Sequence, residues 1–311
     1  ALLLTASLRA ADPGFGGRLV LAVPEPDGAW AGHRTGIASD AVRAALGRLD
    51  VEIRPFTARI FGAAYPHGNK IEALTVLPAG RPFLFLDSDM LVTGPLSALP
   101  IPAQRPTASL NRRDTWPKPP LYGPSRAEIW EAVHALAGLD IAPTLERRWP
   151  ADHWRRYMYF NAGWFCGPCP HAFGRRYLAV AQAIRDAPPP DLAAQSLDPW
   201  LDQIALPVAA HAEGGGRPGP DLAPLDDGRA VWHWRRLALL YATAPDHVVD
   251  HLERVAAPNR IKRALKERPT FHRLVYRREG RRLRERLAGE GLTLPEPALR
   301  RRLRSEGLWL R

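Results

Sequence analysis

Residues 82–92, PFLFLDSDMLV, constrain this chain most. Four apolar residues, Phe83 to Leu86, run straight into Asp87, Ser88 and Asp89. A short apolar run bounded by turn residues predicts a buried strand of a parallel sheet. Open α/β sheets bind their ligands beyond the carboxyl ends of the strands. Two carboxylates one residue apart at such an end repel and raise each other's pKa. A divalent cation removes that cost. Carboxylate oxygens suit Mg2+ or Mn2+, which are commonly shared with substrate phosphates. The alternative is a strand-ending turn whose Asp side chains cap backbone N–H groups.

The flanking pattern alternates strand and helix, which predicts a mostly parallel central sheet flanked by helices. Residues 2–4 read as a first strand with Thr5, Ala6 and Ser7 at its carboxyl end. Residues 18–23 and 51–54 read as further strands, and 37–49 shows helical apolar spacing at Ile37, Ala41, Ala45 and Leu49. In HGNKIEALTVL, Asn69 is placed to N-cap a helix with Glu72 three residues on, as in a capping box. Lys70 then falls in the first helical turn, where it serves a phosphate or one of the Asp carboxylates. The bland reading is a solvated surface lysine.

Further along, residues 111–120 form a polar loop with the character of a lid, and Ser125 with Glu128 caps another helix that Gly138 stops. Residues 149–159 are rich in Trp, His, Arg and Tyr, which stack on sugar or base rings or simply on one another. In YFNAGW, Asn161 offers a donor and an acceptor suited to sugar hydroxyls, and Gly163 lets a ligand approach the backbone. Residues 171–186 read as a helix. Asp198 and Pro199 are expected to open the next one, which carries Asp202 and Gln203 about a turn in and ends or kinks at Pro207. Residues 230–235, AVWHWR, alternate like a strand. His233 there is a packed core histidine unless partners make it a ligand.

The net charge of +11 is a property of the C-terminal region. Residues 259–311 hold 17 Lys and Arg against 6 Asp and Glu, a surplus equal to that of the whole chain. With 311 residues and 46% hydrophobic content, the chain is long enough for one large α/β domain or two smaller ones. We divide it into residues 1–255 and a basic, helical extension, 256–311. The extension interleaves Leu and Trp with Arg, a composition suited to an anionic membrane surface, less so to nucleic acid, or to a solvated helix packed on the main domain. No apolar run approaches the roughly 20 residues of a membrane span. The opening ALLLTASL lacks a basic n-region. These features read as a cytoplasmic protein, peripheral on the inner face of a membrane.

Cys166 and Cys169 lie in WFCGPC, which is similar to the thioredoxin motif Trp-Cys-Gly-Pro-Cys except that Phe165 separates Trp164 from the first cysteine. Zinc would need two more ligands. The reading preferred here is a small buried hydrophobe, Cys166, followed by a Gly-Pro turn.

Taken in order, NKIEAL, FLFLDSD, YFNAGW, LDQIAL and VWHW resemble the GT-A glycosyltransferases, family 8 most closely, over roughly residues 1–250. The resemblance implies a GT-A fold and transfer of a sugar from a nucleotide-diphosphate donor, a UDP-sugar foremost, with retention of configuration. The acceptor would be a saccharide or a lipid-linked molecule. It implies that Asp87, Asp89 and His233 hold Mn2+ or Mg2+, with Ser88 between the two acids. Thr5, Lys70, Ser88, Asn161 and Gly163 would bind substrate. Asp202 and Gln203 would flank the anomeric carbon, Gln203 as a nucleophile or as electrostatic support. TASLRAADPGFGG departs from the family's base-binding segment. Haloacid-dehalogenase-like phosphatases also begin with a strand ending in Asp-x-Asp, and Asp226 with Asp227 would be their later acidic pair. They place Thr or Val where Leu91 stands, and their downstream lysine has no good match here. A non-catalytic protein binding membrane or nucleic acid through the basic extension is the remaining alternative.

Overall fold

The computed structural model describes residues 1–101, 104–287 and 294–310. Its first element corrects an expectation. Residues 2–4 belong to helix α1, Leu2–Ala11, not to a strand. A short apolar run suits either element, and here Leu2, Leu3, Ala6 and Leu8 are buried in two different packing clusters. Ser7 and Thr5 survive in the interior by donating their hydroxyls to the carbonyls of Leu4 and Leu2, 2.8 and 3.1 Å away.

Among the described residues, parallel pairing is confined to β1, Leu19–Pro24, and β2, Val51–Phe56. Helix α2, Asp40–Gly47, connects them, N-capped by the Ser39 hydroxyl, which accepts from Val42 N at 3.0 Å. The other strands form two small antiparallel sheets. In one, β6 (Phe160–Gly167) lies between β3 (Phe83–Leu86) and β5 (Thr107–Leu110). In the other, β4 (Met90–Val92) pairs with β7 (Val231–His233). The mostly parallel central sheet is therefore not formed. The ladders of β6 with β3 and β5, and of β4 with β7, all run antiparallel; β3 and β4 lie in different sheets and are joined by a tight turn in which Met90 N donates to Asp87 O at 3.1 Å.

Helices surround these sheets. Asn69–Glu72 is α3, and Arg126–Ala135 is α4, closed by the expected Ser125–Glu128 capping box. Pro170–Asp186 is α5 and Leu201–Ala212 is α6. The latter starts after Trp200 rather than at Asp198, and runs through Pro207 instead of ending there. A proline ring removes the bond to the carbonyl four residues back, here that of Gln203. The short α7, Pro224–Asp227, precedes β7. The C-terminal set comprises α8 (Leu237–Thr243), α9 (Asp246–Ala256), α10 (Asn259–Lys266), α11 (Pro269–Phe271), α12 (Glu279–Arg286) and α13 (Glu296–Ser305). A π-helical turn, His272–Tyr276, is followed by Arg278 in the left-handed region at φ 60°.

Three buried clusters hold the fold. Leu3 and Leu46 from α1 and α2 pack with Leu240, Leu252, Leu265, Leu283 and Leu303, so the basic extension shares a core with the N-terminal helices. Phe160, Phe165, Trp130, Tyr177 and Ile204 fill the space between the three-stranded sheet and α4–α6. Trp164, Cys166, Met90 and Leu225 pack around β4 and β7. Cys166 and Cys169 are both free thiols. Burial pushes the Cys166 thiol up to about 12. The Cys169 thiol, placed just before α5, is held below its usual value by backbone N–H groups of Ala172 and Gly80.

Candidate active site

Asp87 leaves β3 with its N–H donated to Gly163 O at 2.9 Å, one step beyond the Leu86–Trp164 pair of the β3–β6 ladder. The chain turns through Ser88 and Asp89 and enters the other sheet at Met90. Because β4 pairs with β7, Met90 faces His233, and Trp234 N donates to Asp89 O at 3.1 Å. This pairing brings a residue distant in sequence onto the acidic turn. One ligand atom from each of Asp87, Asp89 and His233 lies within 4.8 Å of the others. His233 Nε2 stands 3.2 Å from Asp89 Oδ1. His233 is thus only partly a core residue; its partner is a carboxylate. Gly163 is required beside it, since a Cβ there would come within 3.0 Å of His233 Nδ1 and 2.9 Å of Asn161 Oδ1.

The middle of β6 is irregular. Leu110 faces Phe160 and Ala108 faces Phe165, so β6 carries extra residues between the two pairs, and Ala162 adopts φ 55°. Such bulges re-aim backbone groups near sites. Here the bulge turns Ala162 O toward Lys70 Nζ at 3.1 Å. Asn161 secures it: Oδ1 accepts from Gly163 N at 2.8 Å and from the Ser109 hydroxyl, and Nδ2 donates to Leu110 O at 3.4 Å.

Lys70 projects from α3, but the expected cap does not form. Pro66–Gly68 already make a helical turn, so Asn69 lies inside the helical run, and its Oδ1 accepts from Trp30 Nε1 at 2.9 Å. Glu72, freed from a capping box, is buried and accepts from the backbone N–H groups of Arg59, Ile60 and Phe61 at 2.6, 3.2 and 3.1 Å. Lys70 Nζ lies 3.0 Å from Asp87 Oδ1 and 3.3 Å from Asp202 Oδ2, besides the Ala162 carbonyl. Three donors and three partners leave no N–H for a phosphate. Of the two roles expected for Lys70, the geometry has the carboxylate one. Burial pulls the Lys70 pKa down, but Asp87 and Asp202 overcome it and hold the ammonium above its usual value.

Asp202 is buried at the start of α6 with both oxygens engaged, Oδ2 by Lys70 and Oδ1 by the Tyr65 hydroxyl at 2.8 Å. Gln203 is half-buried, and its Oε1 accepts from the Tyr159 hydroxyl at 3.3 Å. Burial raises the Asp87 pKa against the pull of Lys70. Asp89 is likewise desolvated, yet the hydrogen bond and charge of His233 bring its pKa below the usual value. Three carboxylates converge here on one ammonium and one imidazole. The cluster is short of positive charge, and two carboxylate oxygens with one imidazole nitrogen form a donor set suited to a divalent cation. A cation reaching each at about 2.1 Å needs donors no more than about 4.2 Å apart, so small side-chain adjustments suffice.

Ser88 is exposed between the two acids. Thr5 is turned inward on α1, with its hydroxyl on Leu2 O, and makes no hydrogen bond to the cluster. Asp226 accepts from Trp164 Nε1 at 2.9 Å and Asp227 pairs with Arg229 at 2.8 Å; neither joins the metal-ligand cluster found among the described residues. Residues 111–120, expected as a lid, are anchored to the body: Trp116 is buried, and Asp114 pairs with Arg126 at 2.9 Å.

A family model described as the Rhodobacterales glycosyltransferase domain matches residues 1–214. The chain belongs to this family. The matched span of this glycosyltransferase includes Lys70, Asp87, Asp89, Asn161, Asp202 and Gln203 and stops before His233. No curated protein and no solved structure matches the chain. Two residues beside this cluster are not singled out by the sequence, Tyr65 on Asp202 and Tyr159 on Gln203. The signal was their type, because a buried tyrosine hydroxyl needs a partner; what sequence withholds is which partner.

Proposed function

We propose that this protein is a metal-dependent, retaining glycosyltransferase with the GT-A arrangement, using a nucleotide-diphosphate sugar, a UDP-sugar foremost, and a saccharide or lipid-linked acceptor. The observation that carries the reading is the convergence of Asp87, Asp89 and His233 at a junction of two sheets, in a chain of a glycosyltransferase family. These three residues would hold Mn2+ or Mg2+, the single imidazole tilting the set toward Mn2+. Bound there, the ion would supply Lewis acidity to the departing diphosphate. Lys70 pairs with Asp87 and ties it to Asp202, so one ammonium links the metal ligands to α6. Gly163 leaves room for His233. Asn161 shapes the bulge and retains one amide hydrogen for a sugar hydroxyl. Residues 1–255 would form the transferase unit and 256–311 its extension.

The extension would meet an anionic membrane on its cytoplasmic side. Support comes from an open groove of about 910 Å³ between α2 and α10, where Arg48, Arg260, Lys262, Arg263 and Lys266 outnumber the two acids, Asp40 and Glu267. Among the described residues no helix is long and apolar enough to cross a membrane.

The direct test offers the protein a panel of nucleotide sugars with Mn2+ or with a chelator and measures release of nucleoside diphosphate. The expected result is release from at least one donor, lost with the chelator and in Asp87→Ala and Asp89→Ala. Equal release in either variant would remove the metal site from the mechanism.

A further inference from the structure

The Gln203 amide lies at the end of a chain of hydrogen bonds that begins on the backbone. Arg113 N donates to Asn111 Oδ1 at 3.1 Å, and the other end of that amide, Nδ2, donates to the Thr115 hydroxyl at 3.0 Å. Thr115 donates onward to the Tyr159 hydroxyl at 3.2 Å. Tyr159 in turn donates its one proton to Gln203 Oε1 at 3.3 Å.

Tyr159 is well fixed for this task. It is 3% exposed, its carbonyl accepts from Asn111 N at 2.8 Å, and its ring lies against Trp116 and Trp130. Burial also drives its phenol pKa upward, so the proton stays on the oxygen. The other end of the Gln203 amide is different. Nε2 has no hydrogen-bond partner among the described residues, on a half-buried side chain next to Asp202.

We infer that Tyr159 is a positioning residue that holds Gln203 Oε1 and turns the free Nε2 donors toward the bound donor sugar. This rests on the glycosyltransferase reading and chooses within it. Gln203 is then a hydrogen-bond donor to a sugar hydroxyl or to the departing oxygen, not the atom that attacks the anomeric carbon. An oxygen already accepting a proton is the poorer nucleophile, and the unused group on this side chain is a donor.

The test compares wild type, Tyr159→Phe, Gln203→Ala, Gln203→Glu and the Tyr159→Phe/Gln203→Ala double variant, with kcat and KM for the donor and a thermal midpoint for each. Tyr159→Phe is expected to lower kcat roughly tenfold, the scale of one lost hydrogen bond, with little change in midpoint. In the Gln203→Ala background the same change is expected to do nothing more, because Tyr159 acts through Gln203. A purely structural tyrosine would lower activity equally in both backgrounds, and that additive result would overturn the inference. Gln203→Glu keeps an oxygen and loses both donors, so it is expected to fall as low as Gln203→Ala. Activity near wild type in Gln203→Glu, or a glycosyl adduct at position 203 in its mass spectrum, would also overturn it. If Tyr159→Phe folds poorly, Thr115→Val interrupts the chain one link earlier and is read in the same cycle. A wild type that releases nucleoside diphosphate from no donor removes the function reading and this inference together. An active wild type with an additive cycle removes the inference alone.

Discussion

In the C-terminal helices, Asp250 and Glu253 share Arg281, Glu279 faces Arg273, and Glu296 gathers Arg235, Arg113 and Arg300. Those contacts set five arginines against four acids, whereas around α3 Asp87 and Asp202 divide the single ammonium of Lys70. The pKa directions follow. Hydrogen bonds from Arg281 and Arg273 hold Asp250 and Glu279 below the usual carboxylate range, whereas burial pushes Asp87 above it. The region with the most charge thus satisfies its acids internally. The region with less charge leaves its acids wanting a cation. Net charge marks the extension; local imbalance marks the site.

The sharpest way to break this contrast is to remove the central cation of each region. Lys70→Met leaves two buried carboxylates facing each other, and urea unfolding at pH 7 is expected to show a loss of about 3–5 kcal/mol. A loss under 1 kcal/mol would mean that Lys70 does not hold the site together.

His134 separates burial from pairing. It is buried on α4, bonds Trp130 O through Nδ1 at 2.8 Å and makes no ion pair among the described residues, Asp140 acting on it through its charge alone. Burial, with His211 nearby, lowers its pKa from 6.5 to about 4. The unfolded chain therefore takes up this proton first as pH falls. The stabilisation is complete above pH 6.5 and is lost between about 6.5 and 4, a contribution of about 3 kcal/mol. His134→Asn keeps a donor for Trp130 O and is expected to flatten the pH dependence of unfolding over that window. An unchanged profile would place the titration elsewhere.

The smallest effect is expected from Arg281→Met. Its side chain is 30% exposed, and its acids can be solvated, so the loss should be about 1 kcal/mol or less and shrink with added salt. A loss matching that of Lys70→Met would erase the contrast between the two regions.

Much of the site was legible because its groups sit where backbone rules put them. The apolar run into Asp87 ended a strand, and the alternation of residues 230–235 made His233 part of one. The Ser125–Glu128 box capped α4 as its residue types require. Failures came where local pattern is silent about neighbours. Residues 2–4 suit a strand alone but lie in a helix packed against β4, α9 and α2. Asn69 has the chemistry of a cap, yet the preceding Pro66–Gly68 turn displaces it. The antiparallel return of β6 beside β3 cannot be read from either segment, because pairing partners are set by the connections. Tyr65 and Tyr159 bond residues 137 and 44 positions away, and nothing beside them in sequence names Asp202 or Gln203 as their partners.

The central claim is that Asp87, Asp89 and His233 form a metal-dependent site for a nucleoside diphosphate. The most direct measurement is a calorimetric titration of UDP into the protein, with and without Mn2+, repeated on Asp89→Ala and then with other nucleoside diphosphates. The account predicts binding of at least one of them that requires Mn2+ and disappears in the variant. Binding unaffected by metal and by Asp89→Ala, or no binding by any nucleoside diphosphate with Mn2+ present, would contradict it.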